Sequence, residues 1–425
     1  MFLIILFSFN IGERVGGVMR LLQINCVYGE GSTGKIVESI NSYLLRKGID
    51  SFVIYGIGKD RNEKNVYKII PELFRKIQSF NTRITGYPYG GCSYGSYKTI
   101  SKIKKIKPDI VHIHCINGYF VNVYQILNFL KSNSIPTVIT HHAEFMYTGG
   151  CVHSVECNKW LTGCGDCKKI RHEHPISYFF DQTANEWNRL KDIYNGYNYL
   201  VNCTVSDWEK ERVKQSPFFK DSKTMTVMNG IDTDVFKYIC NDKADIMKNK
   251  YKLDKSYLAI HVTPSFDDPI KGGEYIIQLA KEMPDIQFLV LGSYDREINL
   301  PNLCFVGKVT DQELLAQFYS IADICLLTSL RETFSMVTAE SLCCGTPVVG
   351  FKAGGPESIA LEDYSSFVNQ GDINRLKKEV ERLIELKLNK ATISEKATEI
   401  YSDKRMCSQY YQVYKELFQE KYHQF

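Results

Sequence analysis

Short apolar runs rich in β-branched residues alternate with amphipathic stretches along most of the chain. That alternation predicts strands and helices taken in turn, hence an α/β protein with parallel sheets. In the first half the predicted strands are Leu22 to Val27, Ser51 to Tyr55, Ile110 to His114, Thr137 to Thr140 and Tyr199 to Val205. Ile36, Ile40, Tyr43 and Leu44 fall at i, i+4, i+7 and i+8 and mark one face of the first intervening helix. A second series begins after residue 230, with Leu258 to Val262, Ile286 to Leu291, Leu303 to Val306, Ile324 to Thr328 and Pro347 to Phe351. Two doubly wound lobes account for both series. Their boundary is expected between Ser206 and Phe236, where Asn229-Gly230-Ile231-Asp232 supplies turn chemistry. The last helix carries Met406, Tyr410, Val413, Tyr414 and Leu417 on one face, so it must dock on an apolar surface.

Composition narrows the class further. The 425 residues suit two or three domains at about 150 residues each. With 44% hydrophobic and 24% charged residues, the chain is not disordered, collagenous or a coiled coil. A formal charge of +4 is too mild to argue for nucleic acid. No stretch approaches the roughly 20 apolar residues of a membrane helix. Met1 to Phe9 lacks both the leading charge and the cleavage site of a signal peptide, and Met19 directly precedes the first strand, so residues 1 to 18 read as a disordered tail or a misassigned start. Of the 14 cysteines, ten are spread through apolar segments, a usage that suits reduced thiols in a cytoplasmic protein. Cys151, Cys157, Cys164 and Cys167 form a C-x5-C-x6-C-x2-C cluster, which fits a structural zinc, two disulfides or free core thiols.

Candidate chemistry is concentrated in three places. Gly29-Glu30-Gly31-Ser32-Thr33-Gly34-Lys35 follows the first strand, opens a helix and matches the frame of a phosphate-binding loop. Ile36 then stands where such a loop needs a hydroxyl for magnesium, which weighs against a nucleoside triphosphatase. Either Gly31 and Ser32 approach an anionic ligand at the helix start, or the segment is a tight turn without one. The densest signal is Ala322 to Ile359, where a buried strand delivers Glu332 into a loop, a helix from about Phe334 carries Glu340, and Gly354-Gly355-Pro356-Glu357 follows the next strand. The N–H groups of Phe334, Ser335 and Met336 suit a diphosphate, with Glu332 and Glu340 accepting from sugar hydroxyls on either side; the alternative is a helix with two solvated acids. Residues 71 to 108 carry eight basic side chains (Arg75, Lys76, Arg83, Lys98, Lys102, Lys104, Lys105 and Lys107) against Glu72 alone, interleaved with Phe74, Phe80, Tyr87, Tyr89, Tyr94 and Tyr97. That stretch fits an anionic leaflet or solvated helix faces, and no base-reading motif accompanies it, so nucleic acid is not expected as a partner.

From Met19 onward these motifs resemble glycosyltransferase family 4, the retaining nucleotide-sugar enzymes of GT-B fold. Glu332 and Glu340 match its E-x7-E motif, Asn229-Gly230-Ile231-Asp232 with Phe236 matches its "NGID…F" phrase, and Lys271-Gly272 is similar to its Lys-Gly. The Gly-Ser-Thr-Gly stretch, Pro108 to His114 and Thr148-Gly149-Gly150-Cys151 are similar to a subset that builds bacterial capsule, O-antigen and exopolysaccharide. The resemblance implies two Rossmann-like lobes facing a donor/acceptor cleft. It divides the chain into an acceptor-side domain at 19–205, a nucleotide-sugar domain at 206–400 and a helix at 401–425 crossing back. It implies a UDP- or GDP-sugar donor, a lipid-pyrophosphate-linked glycan acceptor at the inner face of the cytoplasmic membrane, and no catalytic metal.

In that frame Lys271 and the helix N–H groups stabilise the departing diphosphate, Glu332 orients the donor sugar, and Glu340 binds the ribose. His142 meets a sugar hydroxyl or shields developing positive charge, with His141 as the other candidate. Gly31 and Ser32 line the donor side. Three departures stand out: no Arg precedes Lys271, His142 is followed by Ala143, and Ser335 stands where glycine is usual. A catalytically silent GT-B subunit and a GT-B-like epimerase are the alternatives.

Overall fold

The computed structural model describes residues 18–422 apart from 172–176, 241–246, 248, 252 and 297, so all but the last residue of the expected tail at 1–18 lies outside it. Two compact units make up the chain. One comprises the described residues up to Thr204, Lys210–Val227 and the segment from Cys407; the other comprises Val205–Glu209 and Met228–Met406. The sequence places Lys210–Val227 in the second domain, but the structure assigns it to the first, because Lys223–Thr226 forms a strand that pairs with Leu200–Thr204.

In the first unit, β1 (Arg20–Asn25), β2 (Asp50–Tyr55), β3 (Val66–Lys68), β4 (Ile110–Ile113), β5 (Thr137–His141), β6 (Leu200–Thr204) and β7 (Lys223–Thr226) form one parallel sheet in the order β3-β2-β1-β4-β5-β6-β7. In the second, β8 (Tyr257–Ser265), β9 (Ile286–Ser293), β10 (Leu303–Gly307), β11 (Ile324–Leu327), β12 (Val348–Phe351) and β13 (Ser365–Val368) are ordered β10-β9-β8-β11-β12-β13. Both are Rossmann-like doubly wound sheets. The strands read as apolar runs because both faces are covered. In the second unit Ile260, Leu289, Leu327 and Leu342 belong to one core, and Phe288, Ile324, Val349 and Leu376 to another.

Each sheet reverses its winding beside its first strand, between β1 and β4 and between β8 and β11. At such a switch point the neighbouring connections leave on opposite faces, and the strands' carboxyl ends are open to a ligand. The helix Asp403–Tyr422 buries Tyr410, Val413, Tyr414 and Leu417, as their spacing requires.

Candidate active site

The carboxyl ends of β8 and β11 carry the first group of residues. After β8 the chain turns through Pro269–Lys271, where the Asp268 carboxylate accepts from the Ile270 N–H at 3.0 Å. Leu330 N–H donates to the Ile270 carbonyl at 2.7 Å, and Thr328 Oγ1 donates to the Lys271 carbonyl at 3.2 Å. The two segments are thus tied together edge to edge. Gly272 has φ +72°, and a Cβ there would stand 2.2 Å from the Thr328 carbonyl oxygen, so the residue after Lys271 must be glycine. Held in this way, Lys271 Nζ lies 2.7 Å from Glu332 Oε1, with the two side chains 21% and 19% exposed.

Glu332 is fixed from its other side by the loop after β12. Its N–H donates to the Ala353 carbonyl at 3.0 Å, and Gly355 N–H donates to its carbonyl at 2.8 Å. The Glu357 carboxylate holds that loop by accepting from the N–H groups of Ala353 at 3.0 Å and Gly354 at 2.9 Å. Burial raises the Glu357 pKa, and the Arg331 charge opposes the shift. Gln370 Nε2 adds bonds to the carbonyls of Leu330 at 2.7 Å and Lys352 at 2.8 Å.

Three residues beyond Glu332, Ser335 caps the helix Met336–Cys343. Its Oγ accepts from the Thr338 N–H at 3.2 Å and the Thr338 hydroxyl at 2.9 Å. Ser335 has φ +78°, a conformation that glycine adopts without strain, so the serine combines a backbone penalty with a useful cap. Glu340 lies on the second turn of that helix, where its Oε2 accepts from the Tyr319 hydroxyl at 3.3 Å. Tyr319 is fully buried, and burial first, then the Glu340 charge, holds its phenol far above the ordinary range. It therefore stays a donor and orients the carboxylate. Phe334 is buried at the start of this segment, with Met336 half-buried beside it.

In the first unit the corresponding switch point gathers Gly31, Ser32, His114 and His142 at strand ends. Gly31 and Ser32 begin the helix Gly31–Arg46 after β1, and the turn before it closes through a bond from Gly29 N–H to the Gly34 carbonyl at 3.0 Å. His141 belongs to β5 and bonds Asn202 Oδ1 through Nε2 at 2.9 Å, which gives it a structural role. His142 follows the strand and sets its Nε2 3.1 Å from His114 Nδ1. Beyond His114, its Nε2 lies 3.2 Å from Gln23 Oε1, and Gln23 Nε2 donates to the Val37 carbonyl at 3.3 Å. His112 joins Tyr414 and Thr140 hydroxyls at 2.7 Å each. Sequence reasoning singled out neither Gln23 nor this partnership. Its trace is nonetheless visible: Gln23 and Asn25 alternate with Leu22 and Ile24, and His112 and His114 with Val111 and Ile113, in otherwise apolar stretches.

Burial pushes His141 down to about 4 and His142 to about 3, and holds His112 and His114 well below the usual imidazole range. An unfolded histidine titrates near 6.5, so on acidification the unfolded chain takes up protons before the native one does. The stability that these neutral rings contribute is complete above about pH 6.5 and is lost as the pH falls toward about 4. A thermal-unfolding series over pH should therefore show a steep decline of the midpoint in that window. A flat midpoint would contradict neutral burial.

In the cysteine cluster the structure separates two of the three readings. All 14 cysteines are free thiols, so the disulfide reading fails. Cys151 and Cys167 share a hydrogen bond, which together with burial drives the Cys151 pKa far upward, and Cys157 and Cys164 lie within electrostatic reach. Cys164 Sγ accepts the Gly149 N–H at 3.2 Å, and Cys167 N–H donates to Asp181 at 2.6 Å. Among the described residues no group of three or more His, Cys, Asp or Glu side chains is placed to hold a metal ion. The structural zinc expected at Cys151, Cys157, Cys164 and Cys167 therefore rests on their spacing in the sequence.

One surface of the first unit is unusual. The helix Glu72–Thr85 leaves Leu73, Phe74, Ile77 and Phe80 exposed at i, i+1, i+4 and i+7, with Phe80 at 62%. Phe74 stacks on exposed Tyr94 with ring centroids 5.4 Å apart. The exposed Tyr178-Phe179-Phe180 segment adjoins the same helix through a bond from Tyr178 N–H to the Arg83 carbonyl at 2.7 Å. Among the described residues no helix is long and apolar enough to cross a membrane.

Family models decide the identity of the two units. The model described as Glycosyltransferase Family 4 matches residues 34–235, and that described as Glycosyl transferases group 1 matches 245–400. The chain belongs to glycosyltransferase family 4. It is an enzyme that transfers glycosyl groups, and its two parallel-sheet lobes are those of the GT-B fold. This family-4 chain is 20% identical over 419 residues to the Escherichia coli K12 protein described as a colanic acid biosynthesis glycosyl transferase, WcaC, covering 94% of this chain and 100% of that one. It is 27% identical over 408 residues to N-acetyl-alpha-D-glucosaminyl L-malate synthase of Bacillus anthracis, covering 93% and 97%. Among solved structures, sucrose-phosphate synthase of Thermosynechococcus elongatus superposes with a TM-score of 0.68 at 16% identity, covering 95% and 100%. Anabaena Alr3699/HepE, solved in complex with UDP-glucose, superposes at 0.62 and 15% identity, covering 94% and 100%.

Proposed function

We propose that the protein transfers a sugar, with retention of anomeric configuration, from a UDP- or GDP-sugar to a lipid-pyrophosphate-linked glycan during the synthesis of a bacterial surface polysaccharide. The observation that carries this reading is the ion pair of Lys271 and Glu332 just ahead of the helix start that leads to Glu340. Each half of the pair has a use in the reaction. The ammonium meets the diphosphate as negative charge builds on it, and the carboxylate turns to hydroxyls of the donor sugar. Because the pair is only partly buried, water and ligand can take over its contacts at modest cost. The N–H groups of Phe334, Ser335 and Met336 add fixed dipoles at the same end of the helix.

In a retaining transfer of this kind the nucleoside diphosphate leaves from the face that the acceptor hydroxyl attacks. No carboxylate nucleophile is needed, and stabilisation of the leaving group carries most of the catalysis. The UDP-glucose bound by the similar Anabaena protein, and the colanic acid role of the E. coli relative, support a nucleotide-sugar donor and a polysaccharide product. Exposed Leu73, Phe74, Ile77 and Phe80, set among Arg75, Lys76, Arg83 and Lys98, support work in the cytoplasm against an anionic membrane face, where a lipid-linked acceptor would be held.

The reading is tested with the full chain, UDP- and GDP-sugars, and a polyprenyl-pyrophosphate glycan in anionic vesicles. Acceptor-dependent release of nucleoside diphosphate is expected, and NMR of the product should show the anomeric configuration of the donor. Inverted product, or no binding of either nucleotide, would reject it.

A further inference from the structure

We infer that Gln23 and His114 are positioning residues that hold His142 as its Nε2–H tautomer, so that Nδ1 offers a lone pair to a hydroxyl of the substrate sugar. The inference rests on the functional reading above and, of the two roles that the family resemblance implies for His142, takes the contact with a sugar hydroxyl and specifies its chemistry.

The direction of the chain is set by a backbone carbonyl. Gln23 lies in β1 directly beside His112 of β4, which brings its amide within reach of His114 two residues further on. Its Nε2 donates to the Val37 carbonyl of the helix Gly31–Arg46 at 3.3 Å, and this leaves Oε1 facing His114 Nε2 at 3.2 Å. Reversing the amide would set its oxygen against the Val37 carbonyl oxygen and lose that bond, which fixes Oε1 toward His114. His114 must therefore carry its proton on Nε2. A neutral imidazole has one N–H, so His114 Nδ1 is an acceptor, and the group 3.1 Å from it, His142 Nε2, is the donor. The remaining nitrogen of His142, Nδ1, is then unprotonated.

Neutrality of the rings is supported independently. Gln23 and His114 are fully buried, and the His112 ring sits on His114 with centroids 3.8 Å apart, where a second positive charge would be repelled. Burial holds His114 well below the ordinary range and His142 at about 3. His112 cannot set the direction, since its partners, the hydroxyls of Tyr414 and Thr140, donate or accept as required. The consequence is a selectivity rule. A group that meets His142 Nδ1 has to donate a hydrogen bond: a sugar hydroxyl qualifies, whereas a ring oxygen, a phosphate oxygen or a fluorine does not.

Two measurements on the full chain test this. The first is a long-range ¹H–¹⁵N correlation spectrum of the imidazoles near neutral pH, which needs no substrate. His114 and His142 should both appear as Nε2–H tautomers, and in Gln23→Met, which removes the amide with little change of volume, the His142 signals should move toward a tautomer mixture. If Gln23→Met does not fold, His114→Phe keeps the ring packing and should release His142 in the same way.

The second measurement compares UDP-glucose with its monodeoxyfluoro analogues by UDP release. Wild type should discriminate against fluorine at one ring position by roughly tenfold to a hundredfold, and Gln23→Met should lose most of that discrimination while its unfolding midpoint stays near wild type. A wild-type His142 protonated at Nδ1 would overturn the inference. So would a folded variant whose His142 tautomer is unchanged. Failure of UDP-glucose to react with wild type would count against that donor in the functional reading, and the spectrum would still decide the tautomer.

Discussion

Lys271→Ala should lower kcat/KM by about a hundred- to a thousandfold, the loss seen when one preorganised donor is taken from a developing negative charge. Lys271 Nζ lies 2.7 Å from Glu332 Oε1, so its removal does more than delete a cation. It leaves the Glu332 carboxylate without that partner, where it repels the diphosphate that Lys271 should attract. No Arg stands between Ser265 and Ile270 to compensate. Lys271→Arg should restore only part of the rate, because a planar fork replaces a point charge held by the Gly272 turn. Glu332→Gln separates the two roles. It removes the competing anion, so nucleotide affinity should hold or improve, while kcat falls for want of a group to orient the donor sugar. Steady-state release of nucleoside diphosphate, with thermal unfolding as the control for folding, gives these numbers. A Lys271→Ala enzyme working at the wild-type rate would place the diphosphate clamp elsewhere.

Glu340→Ala should weaken nucleotide binding by about a hundredfold, since hydrogen bonds to a charged acceptor are worth about 1.5 to 3 kcal/mol each. The structure adds a graded control. Tyr319 orients Glu340 through its hydroxyl at 3.3 Å, and Tyr319→Phe leaves the carboxylate in place to accept from the ribose, so it should cost only a few-fold. Calorimetric titration with UDP and with 2′-deoxy-UDP distinguishes a ribose contact from a general loss of packing. The deoxy nucleotide should bind wild type about as weakly as UDP binds Glu340→Ala, and Glu340→Ala should no longer tell the two apart. Equal affinities for both nucleotides in wild type would refute the ribose assignment.

Most central strands could be read from the chain because doubly wound sheets cover both faces of a strand and so demand apolar runs, as in Ile324–Leu327 and Val348–Phe351. Val66–Lys68, Lys223–Thr226 and Ser365–Val368 escaped notice. They are three- and four-residue strands at sheet edges, where water on one side removes the need for apolar side chains. The crossing after Val227 lies within the expected Ser206 to Phe236, but the line drawn at residue 206 slipped for the same reason, since Lys223–Thr226 is the strand that ties its segment back to the first sheet.

Local chemistry was open to the sequence for a simple geometric reason. A strand end, a loop and one helix fix the relation of Glu332, Ser335 and Glu340 within a few residues, so their spacing alone carried the expectation of a ligand at the helix start. Contacts across long separations were not. Lys271 and Glu332 are 61 positions apart, and Gln23 meets His114 across 91; the parallel sheet order brings each pair to one switch point. The cysteines show the converse. Four thiols within 17 positions suggested a zinc site, and the fold adds what spacing does not state: Cys164 accepts from the Gly149 backbone, and Cys151 bonds Cys167. Burial pattern and short-range geometry are written in neighbouring residues, whereas pairing, direction and tautomer arise only when distant segments are pressed together and each buried polar group must find a partner.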